Sequence, residues 1–239
     1  MGDTTNDLGV KIFADGADLD SILALAENPQ ISGFTTNPTL MRKAGVSDYE
    51  GFARKVLEHI TDRPISFEVF ADDDPEMERQ ARLIASWGPN VNVKIPVTDT
   101  HGASKAALIR RLCDAGVSLN VTALMTAAQV ETVGAAMADG PAGIVSVFAG
   151  RVADTGVDPI PVMQEALAVL APHPQLELLW ASPREILNVR QAAEIGVHII
   201  TVTHDVLKKL DLFGKDLDAY SLETVRMFHD DAAAAGFLL

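Results

Sequence analysis

The stretch Val91-Asn92-Val93-Lys94-Ile95-Pro96-Val97 places a lysine inside a largely apolar run bounded by Gly88-Pro89 and Pro96. A short, continuous hydrophobic segment of this kind is the pattern of a parallel strand covered on both faces. An ammonium buried there without a partner is costly, and the usual escape is loss of the proton. A desolvated lysine with a lowered pKa is a nucleophile that condenses with carbonyls to give a Schiff base. The competing reading is structural: Lys94 ends the strand and snorkels to water or pairs with a carboxylate. The run alone does not choose between them.

Similar runs recur on both sides of it, at Val10–Ala14, Gly33–Thr36, Ile65–Phe70, Ser118–Val121, Ile144–Phe148, Leu176–Trp180 and His198–Val202. Helical patterns alternate with them near Asp18–Ala26, Tyr49–Ile60, Pro75–Ser86, Ala103–Ala115, Thr126–Met137, Pro161–Leu170, Pro183–Ile195 and His204–Lys209. Eight such units in 239 residues predict an α/β protein, a single-domain (β/α)8 TIM barrel over residues 1–239. An additional C-terminal helix, about Ser221–Ala235, lies beyond the eighth unit and is expected to cover a face or mediate assembly. A doubly wound open sheet is the alternative, but it calls for a glycine-rich phosphate turn that the chain lacks. No linker or low-complexity segment divides the chain.

Composition narrows the function. A hydrophobic fraction of 48% supports a sizeable core. No apolar run reaches membrane-spanning length, and Met1-Gly2-Asp3-Thr4-Thr5-Asn6-Asp7 is unlike a signal peptide. The single Cys113 fits a reducing compartment, so a cytoplasmic protein is expected, with Cys113 a small hydrophobe on a helix face. A formal net charge of −14 argues against nucleic acid, though a few local arginines suffice for a phosphorylated metabolite. The six histidines show no metal-ligand spacing, and neither a metal nor a cofactor is expected.

Nearly every predicted strand ends on a polar group: Asp15, Thr36-Asn37, Glu68, Lys94, Asn120 through Thr122, Ser146, Ser182 and Thr203. In a barrel these ends converge on the C-terminal face, where active sites are built. Asp15 and Asn37 taken alone are ordinary turn formers or helix caps. Glu68, Lys94 and Asn120 have no turn to explain them and are expected to satisfy one another in a shared pocket, either as a catalytic cluster or as a structural Glu68–Lys94 pair.

At these residues the chain resembles the transaldolase and fructose-6-phosphate aldolase family. The likeness rests on Ile12-Phe13-Ala14-Asp15, Gly33-Phe34-Thr35-Thr36-Asn37-Pro38-Thr39, Ser66-Phe67-Glu68-Val69 and Val93-Lys94-Ile95-Pro96. Asn120-Val121-Thr122-Ala123-Leu124 and Val147-Phe148-Ala149-Gly150-Arg151 extend it in order along the chain, which is close in length to short bacterial members. The resemblance implies Lys94 as the Schiff-base lysine and Asp15 as the group exchanging a proton with the substrate hydroxyl during carbon–carbon cleavage. It implies that Glu68 and Thr122 hold a catalytic water, and that Asn37 and Asn120, with Thr35 close by, bind a dihydroxyacetone unit. Ser146 and Phe148 would line the pocket, and Arg151, Ser182 and Arg184 would hold a sugar phosphate. The segment Ala181-Ser182-Pro183-Arg184-Glu185 is shorter than its usual counterpart; without the resemblance, Arg184 is a first-turn helix residue facing water.

The iminium would serve as the electron sink, so the chemistry asks for no metal. Within the family, short aldolases carry glutamine and tyrosine where this chain has Glu68 and Phe148, which transaldolases share. The resemblance therefore favours a transaldolase-type transferase acting on sugar phosphates, by default in the pentose phosphate pathway. The alternatives are a class I aldolase that releases free dihydroxyacetone and a related Schiff-base aldolase of a specialised sugar pathway. A non-catalytic binding barrel would be expected to lose Lys94 or Asp15 first. The resemblance, and the apolar end Ala232 through Leu239, also imply a homo-oligomer.

Overall fold

A computed structural model describes residues 9–237, so Met1–Leu8 and the terminal pair Leu238-Leu239 fall outside the described residues. Eight strands close into a barrel in sequence order. They are β1 (Lys11–Asp15), β2 (Ile31–Thr35), β3 (Ile65–Glu68), β4 (Val91–Pro96), β5 (Leu119–Leu124), β6 (Gly143–Val147), β7 (Leu176–Trp180) and β8 (Ile199–Thr203). Every neighbouring pair is parallel, including β1 with β8, which leaves no free edge. The predicted (β/α)8 architecture is the observed one.

The helices are α1 (Leu19–Ala26), α2 (Pro38–Lys43), α3 (Tyr49–Leu57), α4 (Asp74–Ala85), α5 (Ala106–Asp114) and α6 (Ala127–Met137), then α7 (Ala149–Asp154), α8 (Pro159–Leu170), α9 (Leu187–Glu194), α10 (His204–Leu207) and α11 (Leu217–Ala235). Their starts follow local chemistry. Asp18, Asn37, Asp48, Asp73, Asp158 and Asp216 each accept a bond from a first-turn N–H, and Thr126 with Gln129 forms a reciprocal capping box. Each such cap is worth about 1 kcal/mol.

Two helices go beyond the predicted set, α2 and α7, each a six-residue insertion in a βα loop. Neither is long enough to show a helical period. The helix predicted from Pro183 begins only at Leu187, because the Asn188 side chain accepts the Arg184 and Glu185 N–H groups and holds that segment as a loop. Arg184 is therefore a loop residue and not part of a first helical turn.

The core has two compartments. The larger fills the space between barrel and helices; the smaller plugs the barrel interior with Phe13, Ile144, Leu179, Ala181 and Ile199. Gly33 makes room for the plug, since a Cβ there would lie 2.6 Å from the Phe13 ring. Cys113 is buried on α5, and burial pushes its thiol up to about 11, which fits a small hydrophobe. Helix α11 contributes no buried residue, so it does not cover the barrel. Among the described residues, no helix is long and apolar enough to cross a membrane.

Candidate active site

Above the interior plug the barrel turns polar, and register explains why. In the parallel ladder Glu68 is opposite Lys94 and Lys94 is opposite Asn120, so the three side chains share one face across β3, β4 and β5. Asp15, at the end of β1, lies opposite Thr35 of β2 and Thr203 of β8. The strand ends open into a cavity of ≈ 550 Å³ at the C-terminal mouth. It gathers all twelve residues singled out from the sequence: Lys94, Asp15, Glu68, Thr122, Asn37, Thr35, Asn120, Ser146, Phe148, Arg151, Ser182 and Arg184.

Lys94 is buried, and its Nζ donates to the Thr36 carbonyl at 2.8 Å and lies 3.1 Å from Glu68 Oε2. The expected Glu68–Lys94 pair is thus formed. Beside it, Thr122 Oγ1 is buried in the cavity wall and has no hydrogen-bond partner among the described residues. Across the floor, Ser146 Oγ donates to Asn120 Oδ1 at 2.7 Å and Asn120 Nδ2 donates to Ser66 Oγ at 3.1 Å. Asn120 is held at both ends of its amide.

Asp15 faces the lysine from β1. Thr35 Oγ1 donates to its Oδ1 at 2.8 Å, and Asn37 Nδ2 donates to its Oδ2 at 3.4 Å. Burial holds the Asp15 carboxyl above its ordinary value; the nearby Lys94 charge and the bonds from Thr35 and Asn37 pull the other way without cancelling it. Asn37 also caps α2, accepting the Leu40 N–H at 2.9 Å, so the cap and the pocket contact are one side chain. The Thr35 hydroxyl is in turn 2.5 Å from that of Thr201. Since Thr35 spends its proton on Asp15, Thr201 must be the donor to Thr35. The chain of hydroxyls thus runs Thr201, Thr35, Asp15.

Two arginines stand on the rim beside β6 and β7, and Lys43 of α2 lines the cavity as well. Arg151 projects from α7, with its guanidinium 5.7 Å from the centre of the Phe148 ring. Arg184, in the loop after β7, forms a two-pronged pair with Asp154 at the end of α7, its Nε donating at 2.8 Å. Gly150 lets that loop cross α7, because a Cβ there would sit 1.5 Å from the Ser182 carbonyl oxygen. Ser182 itself has φ 61° and Ala123, after Thr122, has φ 65°. Non-glycine residues in this conformation carry strain and gather at ligand-binding sites.

Sequence reading passed over Thr201 and Ser66, both buried, because each is one polar residue in a run that otherwise belongs to the core. The usable signal was alternation: Thr201 is two residues before Thr203, and Ser66 two before Glu68, so each shares a face with a strand-end residue.

The profile of the Transaldolase/Fructose-6-phosphate aldolase family matches residues 12–239. A relative named "Probable transaldolase", from Dehalococcoides mccartyi, is 35% identical over 202 residues, 84% of this chain and 90% of the relative. "Probable transaldolase 2" of Listeria monocytogenes is 33% identical over 223 residues, 89% of this chain and 98% of the relative. Among solved structures, 3-hexulose-6-phosphate synthase from Salmonella typhimurium superposes with a TM-score of 0.58 at 14% identity, covering 83% of this chain and 91% of that one. That likeness is one of fold alone. With the match extending over nearly the whole barrel, the chain is an enzyme of the transaldolase/fructose-6-phosphate aldolase family.

Proposed function

We propose that the protein is a transaldolase-type transferase, moving a dihydroxyacetone unit from a ketose phosphate to an aldose phosphate through a Schiff base on Lys94. The observation that carries this reading is the buried Lys94 amine in one cavity with Glu68, Asp15 and two arginines. A buried ion pair is a poor device for stability, since a well-packed hydrophobic substitute is often as good or better. Its cost is better accounted for by chemistry.

In this mechanism the Lys94 amine gives its proton to Glu68, the nearest carboxylate, and attacks the C2 carbonyl of the donor. Water leaves as the imine forms, with Glu68 and the Thr122 hydroxyl handling that water and its protons. Asp15 then takes the proton of the C4 hydroxyl, and the C3–C4 bond breaks. Its electron pair flows into the protonated imine, leaving an enamine on Lys94 and releasing an aldose phosphate. An acceptor aldose phosphate binds in its place, the enamine carbon attacks its aldehyde, and Asp15 returns the proton to the new hydroxyl. Hydrolysis of the imine frees the product ketose. Asn37, Asn120 and Ser146 orient the three-carbon unit, while Arg151, Ser182 and Arg184 hold the phosphate of donor and acceptor alike.

Transfer in preference to release is supported by Phe148 and by the transaldolase names of the relatives. The Phe148 ring lines the cavity beside Arg151 and offers no hydroxyl to aim a water at the enamine carbon. With fructose 6-phosphate and erythrose 4-phosphate, mass spectrometry should find a seven-carbon ketose phosphate. Without acceptor, free dihydroxyacetone should appear only slowly, and Phe148→Tyr should speed its release. Equal rates of release and transfer in the unmodified enzyme would make it an aldolase instead.

Such sugar-phosphate exchange belongs to pentose phosphate metabolism, and the free, buried Cys113 is consistent with a cytoplasmic setting. We also infer a homo-oligomer. Helix α11 leaves Leu217, Tyr220, Val225, Met227 and Phe228 exposed, followed by Phe237 at 77% exposure. A single 19-residue helix with this much uncovered apolar surface is better accommodated against another subunit. Light scattering should give a multiple of the 25.5 kDa chain mass, and a monomer at micromolar concentration would refute the assembly.

A further inference from the structure

Tyr49 is one of two tyrosines in the chain and the first residue of α3. Its ring packs edge-on against Phe67, Phe70 and Trp87, with centroids 6.1, 4.5 and 5.7 Å away. Aromatic packing accounts for the ring but not for the hydroxyl. Tyr49 Oη accepts the Glu68 N–H at 2.7 Å and donates to the Glu68 carbonyl at 3.0 Å.

The topology explains why a side chain is needed there. The β2–β3 ladder ends at Thr35 and Ser66, because β2 turns away at Thr36-Asn37 to begin α2. On its other side Glu68 remains in register with Lys94, and the Val69 N–H donates to the Lys94 carbonyl at 3.1 Å. One edge of Glu68 is therefore held by β4, while the other would have an unpaired donor and acceptor in a largely buried place. One phenol satisfies both groups. Burial pushes its pKa up, so it stays protonated and keeps its donor. The Thr36 side chain adjoins the same phenol, and the Thr36 carbonyl is the other partner of the Lys94 amine.

We propose that Tyr49 is a positioning residue for imine chemistry: its hydroxyl closes the open edge of β3 and thereby fixes the Glu68 carboxylate against the Lys94 amine. Tyr49 touches neither substrate nor the reacting nitrogen; it acts through the Glu68 main chain. Without it, the last residue of β3 is pinned on one side only, and an ångström of drift in a proton-transfer group can cost about 10²-fold in rate. The role rests on the Schiff-base reading above.

The test is the rate of imine formation, measured by borohydride quenching with fructose 6-phosphate at timed intervals. It is run on the unmodified enzyme, Tyr49→Phe, Glu68→Gln and the double variant. Tyr49→Phe keeps the ring and removes one oxygen, and should slow adduct formation about 10- to 100-fold. The KM for the acceptor aldose phosphate should stay unchanged. Added to Glu68→Gln, it should cost less than about twofold, because two residues acting through one group are not additive. Adduct formation by Tyr49→Phe at the unmodified rate, or the same slowing in both backgrounds, would overturn the role. Absence of any adduct in the unmodified enzyme would overturn the Schiff-base reading, and the role of Tyr49 with it.

Should Tyr49→Phe fail to fold, fluorotyrosine incorporated into a Tyr220→Phe protein places a single label at Tyr49. Its fluorine resonance should move when the adduct is trapped at Lys94, as the partner of Glu68 changes from a primary ammonium to a substituted one carrying the sugar. A resonance that ignores trapping would contradict the coupling.

Discussion

Replacement of Lys94 by methionine is expected to abolish turnover, lowering it by at least about 10⁴-fold, the scale on which loss of a covalent nucleophile is felt. Methionine follows the path of the lysine stem and leaves the neighbours of β4 in place. The lost groups are the Nζ contacts to Thr36 and Glu68. Glu68 keeps partial access to the cavity, with its side chain 18% exposed, so its carboxylate is not stranded in an apolar core. The variant should thus fold and melt cooperatively while doing no chemistry, as circular dichroism and a coupled transfer assay would show. A Lys94→Met enzyme with more than about a hundredth of normal activity would place the nucleophile elsewhere, since no other single group is asked to supply so much.

The second large effect belongs to Asp15, and it differs in kind. Asp15→Ala should still form the imine, because the groups next to the amine are Glu68 and Thr36. Carbon–carbon cleavage should slow by about 10²- to 10⁴-fold, the usual contribution of a positioned acid–base group. A trapping experiment separates the two steps: the reduced adduct on Lys94 should carry the whole hexose phosphate in place of the dihydroxyacetone unit, and product formation should be lost. Loss of trapping together with loss of folded protein would make Asp15 a structural residue.

The pH profile gives an independent check on Asp15. As the base it must be ionised, and burial raises its pKa, so activity should fall with acidification at a pH above the ordinary carboxylate value of about 4. The hydrogen bond from Thr35 favours the ionised form. Thr35→Val removes that bond and should move the acid limb to higher pH. A limb that stays put or moves lower would deny Asp15 the role of base.

The barrel could be anticipated because its signals are repetitive. Eight buried strands give eight apolar runs, and the carboxylate or hydroxyl caps of the helices between them stand where capping rules place them. The short helices α2 and α7 escaped because six residues show no period; α2 had only Asn37-Pro38 as a marker, which serves equally for a turn. The late start of α9 depends on the Asn188 side chain turning back to the loop, a contact that local propensity does not encode.

The candidate site was visible for a related reason. Polar residues at the ends of parallel strands converge whatever their spacing in sequence, so Lys94, Glu68, Asn120 and Asp15 could be assembled from topology alone. Thr201 and Tyr49 could not. The first is one hydroxyl within a core strand, and the second reaches the site through the main chain of Glu68, a contact that depends on where α3 packs against β3. The Arg184–Asp154 pair joins the loop after β7 to the end of α7, a contact that depends on how the segments after the paired strands β6 and β7 fold over one another. Arg184 holds the Asp154 carboxyl below its usual range, and a substrate phosphate that binds Arg184 shares the guanidinium with that carboxylate or displaces it.

The proposed transfer requires a covalent bond between Lys94 and the donor sugar. Borohydride reduction in the presence of fructose 6-phosphate, followed by peptide mass spectrometry, reads that bond directly. The expected result is a single modified peptide containing Val93-Lys94-Ile95, heavier by a reduced dihydroxyacetone unit and unmodified when borohydride or donor is omitted. A label on another lysine, or no label in an enzyme that turns over under the same conditions, would contradict it.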